Sequence, residues 1–432
     1  PGGSGGPGSY SFSRFSGPEN LAQPTWTWQD PRGRWSTIPS GTSIDGERSI
    51  YLTVSDGIRK FSPNGELLWT YTKTYQKEEI HNAAALANGL VLCTTSKGRA
   101  FALDMATGRE VWATSIGRNT DGNNGQIAAH DDIMIVASDA SGDVGDHKVC
   151  CGVANHKVVG INTTNGFVMW DYHPDTALWN FAPSFPGDGT FVFQDLEGRA
   201  HRNRVSDGSL IWQAGGVPGT WTDGGAMLGP NDVVYTVSAL KNGGFSEGYL
   251  CAYRLSDGHQ LWNVTTPRPP NNMPAVARLA GGTGLSVVQP MGLQCAKGEQ
   301  IEVHAYDAET GKLQWTFDGG KQVGLTVAGD MEGLGLRLMA GIRPMSMPNP
   351  FGAPAVDGRG TAYIGAETGH FYGLRDLNGD GRVEGPEEVS VLKTGGAFVG
   401  SSGPAFAPGL FAVADIGKLF VWHTPMQAET TF

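Results

Sequence analysis

The chain has 432 residues, only 17% of them charged and 64 of them glycine, so it can bury a large core yet spends many positions on turns. That balance favours short strands over long helices. A formal charge of −11 without any block of Lys or Arg argues against a nucleic-acid partner, and no apolar run is long enough for a membrane-spanning helix.

Residues 1–23 open with PGGSGGPGS and read as a flexible linker or trimmed terminus. Beyond them a repeat dominates. Asn64-Gly65 precedes Trp69, Thr107-Gly108 precedes Trp112 and Asn165-Gly166 precedes Trp170. Asp207-Gly208, Asp257-Gly258 and Thr310-Gly311 lead in the same way to Trp212, Trp262 and Trp315. The Trp always falls four residues after the Gly, and successive Trp lie 42 to 58 residues apart. Alternating strands such as RAFALD (99–104) and YLCAYRL (249–255) precede the turns.

Glycine supplies the positive φ of a tight turn, and period-2 strands turn one face toward a neighbouring sheet. A Trp at a fixed place on the next strand can wedge between sheets. One such unit cannot bury both faces, so the units must stack and close radially. The expected fold is all-β, a single eight-bladed β-propeller over 24–425 with a short tail, 426–432.

Two blades depart from the pattern. In 351–392 an acidic loop replaces the Gly turn, and 402–422 stops soon after Trp422 without an outer strand. PTWTWQDP (24–31) is expected to supply that strand, closing the ring with both chain ends. The Met-rich run 331–351 breaks the rhythm and is expected to form a short helix and loop that caps the ring or meets a partner, or else to pack in the core.

KGRAFALDMATGREVW (97–112) resembles the Trp-docking repeat of pyrroloquinoline-quinone (PQQ) binding propellers, a family that includes quinoprotein alcohol dehydrogenases and a non-catalytic outer-membrane assembly lipoprotein. VCCGVANHKVVGINTTNGFVMWDYHPD (149–175) is similar to the polyvinyl-alcohol-dehydrogenase-like branch, and GTWTDGGAMLGPNDVVYTVS (219–238) to the stretch that carries the stacking Trp. The resemblance implies that Cys150 and Cys151, as a vicinal disulfide, and Trp221 would sandwich PQQ. It also implies a catalytic Asp where this chain has TTPRPPNNMPAVARLAGG (265–282), which holds no Asp, Glu or His. A base is needed to take the alcohol proton, and Asn271 or Asn272 cannot do so. Glu197 and Asn242 are the nearest candidates for the calcium ligands beside the quinone. No C-x-x-C-H haem motif occurs, so an enzyme of this type would pass electrons to a separate acceptor protein.

DLNGDGRVEGPE (376–387) has the spacing of a calcium loop. Asp376, Asn378 and Asp380 take positions 1, 3 and 5, Arg382 offers a carbonyl at 7, Glu384 stands at 9 and Glu387 at 12. A hard cation wants six to eight oxygens, and Gly381 permits the sharp turn. The ion is expected to pin a turn between strands. An environment rich in calcium, and the sequons at Asn162 and Asn263, point to an extracellular, cell-surface or periplasmic glycoprotein.

The leading expectation is therefore a non-catalytic, secreted or cell-surface scaffold stabilised by calcium, with a protein or glycan partner. The alternatives are a PQQ-dependent alcohol dehydrogenase and a carbohydrate-binding module.

Overall fold

The computed structural model describes residues 11–72, 78–80, 82–117, 127–139, 155–179, 181–222, 224–239, 247–293, 296–322, 324, 326–340, 349–398 and 403–429. Eight antiparallel sheets follow one another along the chain and form an eight-bladed β-propeller. The second blade is representative. Its strands Ala85–Ala87, Leu90–Thr95, Arg99–Asp104 and Glu110–Ser115 pair in simple up-and-down order, innermost to outermost. The middle two strands are buried on both faces, whereas the outer strand alternates between exposed and covered positions. The fourth blade has three strands, Thr190–Gln194, Arg199–Arg204 and Leu210–Gly215, with Ser184 bridging Val192 on the inner side.

The tryptophan repeat is the device that joins neighbouring blades. The indole Nε1 of Trp69 donates to the carbonyl of Met105 in the next blade (3.1 Å), and Trp112 donates to Thr163 (2.7 Å). Trp170 reaches Val205, Trp212 reaches Leu255 and Trp262 reaches Ala308 in the same manner. Each ring lies against the turn glycine of that next blade, at Gly108, Gly166, Gly208, Gly258 and Gly311. Those glycines have φ between 70° and 74°, and a β-carbon on Gly108 would sit 2.7 Å from the Trp69 ring. The glycine thus serves two needs at once, a left-handed turn and a flat landing place for an indole. The turns run from Asp104 to Arg109 with a bulge in the register, longer than a two-residue hairpin, and the glycine alone carries the positive φ.

Closure follows the expected plan. Trp26–Gln29 pairs antiparallel with Lys418–His423 and becomes the outer strand of the eighth blade, alongside Leu410–Ala414 and Ala405–Ala407. Trp26 then docks on the first blade as the others do, donating to Pro63 (2.9 Å), with its ring 3.0 Å from where a β-carbon on Gly65 would sit. Of the expected linker 1–23, residues 1–10 lie outside the described residues, but 11–23 run against the seventh blade. There Ser13 N–H donates to Val356, and Leu21 is fully buried among Tyr363, Phe371 and Phe411.

The expected short helix forms at Met331–Met339 (α1), and its partners show what it does. Arg337, 2% exposed, donates through Nη2 to both carboxylate oxygens of Asp330 (2.7 and 2.6 Å) and through Nη1 to the Arg34 carbonyl (2.9 Å). The helix therefore ties the connection after the sixth blade to the segment following the closing strand. A buried pair of this kind is satisfied only while both partners remain, because a lone buried charge is costly.

Replacing Gly166 by Ala should lower the thermal midpoint more than replacing Gly89. Both have positive φ (74° and 73°), which costs about 1–2 kcal/mol for a side chain. Only Gly166 faces a ring, with Trp112 Cε3 2.5 Å from the added carbon, which adds about 1–3 kcal/mol of overpacking. Equal midpoints for the two variants would show that the indole contact does not hold the blades together.

Candidate functional site

Up-and-down pairing sorts the connections by end. Turns between second and third strands share one end of the ring with the blade-to-blade connections, and the remaining turns occupy the other. Trp221, between the fourth and fifth blades, belongs to the first end, whereas the loop 376–384 belongs to the second. The two groups of expected site residues thus sit at opposite ends of the propeller.

Among the residues expected to sandwich a quinone, Cys150 and Cys151 lie outside the described residues, as does Asn242, a candidate calcium ligand. Trp221 is half-buried. Its backbone pairs both ways with Ala239 (3.2 and 2.7 Å), and its ring packs against Ala177, Trp179 and Leu196. Glu197 accepts the Gly219 N–H (3.2 Å) and so helps shape the turn before Trp221. Cys93 is fully buried and Cys251 largely so; burial pushes both thiols up, which leaves them poor nucleophiles at neutral pH.

The stretch 265–282 is firmly built into the fold. Gln289 Nε2 donates to the carbonyls of Asn271 (3.0 Å) and Asn272 (3.3 Å), and Asn272 Nδ2 donates to Phe351 (3.1 Å). Both asparagines are 1% exposed. Gln194 has the same role in the preceding connection, where it donates to Thr222 and Gly224. These buried amides fix the connections at this end, and nothing in the motif spacing had singled them out. Their signal was a polar residue at an inward position of an otherwise apolar strand.

At the other end, the loop 376–384 is shaped by its own hydrogen bonds. Asp376 Oδ1 accepts the Gly379 N–H (2.9 Å), Asn378 Oδ1 that of Asp380 (2.8 Å), and Asp380 Oδ1 that of Arg382 (2.8 Å). Arg382, Glu384 and Glu387 are exposed. The buried carboxylate that ties the loop to the backbone is Glu388, the neighbour of the expected ligand Glu387. Its oxygens accept the N–H groups of Leu377 (2.8 Å), Asn378 (3.1 Å) and Glu384 (3.2 Å). Gly385–Glu388 forms one helical turn, which sequence reading did not anticipate, and this turn buries Glu388 while Glu387 stays exposed. Among the described residues no three acidic, histidine or cysteine side chains converge as a metal-binding group. The loop also replaces the missing Gly turn. Thr316, beside Trp315, donates its N–H to Gly381 (3.1 Å) and accepts that of Val383 (2.9 Å), so the sixth blade gains a backbone bridge where the first five blades have an indole on glycine.

Matches to known proteins agree with this architecture. The repeats of the family described as outer membrane protein assembly factor BamB match residues 26–214 and 198–386. The chain belongs to this family. BamB from Moraxella catarrhalis superposes with a TM-score of 0.63 at 14% identity, over 93% of this chain and 99% of that one. Quinohemoprotein alcohol dehydrogenase from Comamonas testosteroni superposes at 0.65 and 12% identity, over 99% and 81%. Tetrathionate hydrolase from Acidithiobacillus ferrooxidans is 22% identical over 257 residues, 55% of this chain, and the match spans about half (48%) of that relative's length. The fold is thus a BamB and quinoprotein-dehydrogenase type of propeller, shared by proteins of differing function.

Two carboxyl groups should respond to acid in opposite ways. Amides of Glu384, Leu377 and Asn378 hold Glu388 below the usual carboxylate range. Its contribution is therefore complete above the unfolded value and lost as pH falls through the folded one. Glu388→Gln should make the loop 376–384 cleavable by protease at neutral pH, as acid does for the parent. Unchanged cleavage would remove Glu388 from that role. Asp415 borders a small cavity of about 20 Å³ beside Ile38 and Phe398, and burial raises its pKa, against the lowering effect of the Gly417 N–H. Stability should therefore fall as pH rises from the unfolded Asp value through the raised one. Asp415→Asn should flatten that region of a pH–midpoint curve, and an unaltered curve would assign the slope elsewhere.

Proposed function

We propose that this chain is a non-catalytic, extracytosolic β-propeller that serves as an interaction scaffold for a protein partner, with calcium held by the loop of the seventh blade. The observation that carries the reading is the stretch 265–282. At the place where the resemblance calls for a base, Asn271 and Asn272 are buried and tied by Gln289 and Phe351, which leaves them structural tasks. Exposed apolar residues on the outer strands support the scaffold role. Phe167 is 71% and Met169 53% exposed on the third blade, and Leu210 and Ile211 are exposed on the fourth. Apolar groups collected on a surface are a common basis for protein contacts. The outer-membrane setting in the family's description agrees with an extracellular or periplasmic location.

Calcium would be held by Asp376, Asn378, Asp380, the Arg382 carbonyl, Glu384 and Glu387. Supporting this is a loop already shaped by its own amides, with side-chain oxygens at alternate positions. A second reading, a PQQ-dependent dehydrogenase, is favoured by Trp221 lying at the long-looped end beside Trp179. There Cys150, Cys151 and Trp221 would hold the quinone, which would accept hydride from an alcohol.

Titration with PQQ in the presence of calcium separates the two readings. The scaffold reading expects no saturable tryptophan quenching and no dye-linked alcohol oxidation. Saturable quenching that disappears in Trp221→Ala, with turnover, would establish the enzyme instead. In parallel, calcium should raise the thermal midpoint of the parent and leave an Asp376→Asn, Asp380→Asn double variant unmoved. No shift in the parent would eliminate the ion.

A further inference from the structure

The third strands of the second, fourth and seventh blades begin with the same turn. Gly98, Gly198 and Gly369 have φ of 70°, 75° and 81° and donate to the residue three positions back. The fourth residue after each glycine faces the outer strand at the docking position. Ala102 is paired with Trp112 and Arg202 with Trp212, but Gly373 is paired with Ser390. The seventh blade therefore offers a hydroxyl where others send an indole into the next blade. The volume an indole would take is partly open. A cavity of about 240 Å³ lies there, lined by Ser390, Gly373, Thr361, Tyr363, Arg359 and Arg375, with Pro18 and Glu19 of the crossing N-terminal segment as its outer wall.

The lining is polar and cationic. Arg359 is partly used: Nη2 donates to the Gly17 carbonyl (2.7 Å), Nε lies 3.6 Å from Asp357, and Nη1 lies 3.5 Å from Glu19, whose side chain is 86% exposed. The half-buried Arg375 guanidinium has no ion pair or hydrogen bond among the described residues, and the backbone N–H of Arg375 donates to the Glu388 carbonyl. Asp357 is already saturated by Gly17, Arg359 and Thr361 amides. A cavity with an unpaired guanidinium, a second one shared with Asp357 and the exposed Glu19, and hydroxyls of Thr361 and Ser390 favours a ligand that brings negative charge and several acceptor oxygens. We propose that this indole-vacated cavity between the seventh blade and the crossing N-terminal segment is a binding site for a small oxyanion, with Arg375 as its main anchor and Arg359, Thr361 and Ser390 as supporting donors.

The test is calorimetric titration of the full chain with sodium sulfate, sodium phosphate and sodium succinate, each against sodium chloride at equal ionic strength. At least one oxyanion should bind saturably, and Arg375→Gln should weaken it by about tenfold or more, the worth of a charge-assisted hydrogen bond. Because Arg375 has no side-chain partner among the described residues, that variant should keep the parent's thermal midpoint in chloride. Ser390→Leu, which fills the cavity, should abolish binding too. The tetrahedral and planar probes rank which oxyanion class fits. Heats no larger than those of chloride for all three salts, or equal affinity in Arg375→Gln, would overturn the proposal.

Discussion

The docking of an indole on a turn glycine is the contact on which the propeller's regularity depends. A blade is a twisted sheet with two apolar faces, and it needs its neighbours at a fixed angle and distance. The Trp ring sets both, because its face rests on the glycine while its N–H is committed to a carbonyl of the same blade. Trp112 shows the two contacts together: the ring lies on Gly166, and the N–H meets Thr163 at 2.7 Å. Any β-carbon at that glycine would push the ring away, so the residue types at the two positions constrain each other.

Where the device is absent, the chain does something else, and the exceptions gather around one blade. Between the sixth and seventh blades, the acidic loop bridges to Thr316 through backbone hydrogen bonds. Between the seventh and eighth, Ser390 replaces the indole, and Leu21 from the N-terminal segment fills the apolar side of the gap. The polar side stays open as the cavity beside Arg359 and Arg375. One altered blade thus yields the ion-loop candidate, the cavity and a docking place for the N-terminal segment.

The end of the ring bearing the long connections is held differently. Gln194 and Gln289 each satisfy several connection carbonyls, so these segments gain buried hydrogen bonds in place of ladder pairing. Arg337 adds a buried ion pair that joins α1 to the segment after the closing strand. Such groups are costly to leave unpaired, which fixes the connections although they lack regular structure. This is the end at which the quinone resemblance places Trp221, and the asparagines in the base's expected position belong to that fixed framework.

Blade number, ring closure and the docking tryptophans were legible in the chain because each rests on local rules. A turn glycine needs positive φ, an alternating strand has period 2, and both repeat at blade length. Even the borrowed outer strand at Trp26–Gln29 could be inferred from an incomplete last blade. Tertiary structure alone decided which acidic residue of the seventh-blade loop is buried against backbone amides. Glu387 and Glu388 are neighbours in sequence, and a single helical turn directs one to solvent and the other to three backbone amides. It likewise decided that Leu21, in a segment that reads as linker, belongs to a core, and that Ser390 stands at an indole's place. Those outcomes depend on what another stretch of the chain brings within reach, and spacing along one strand carries no record of it.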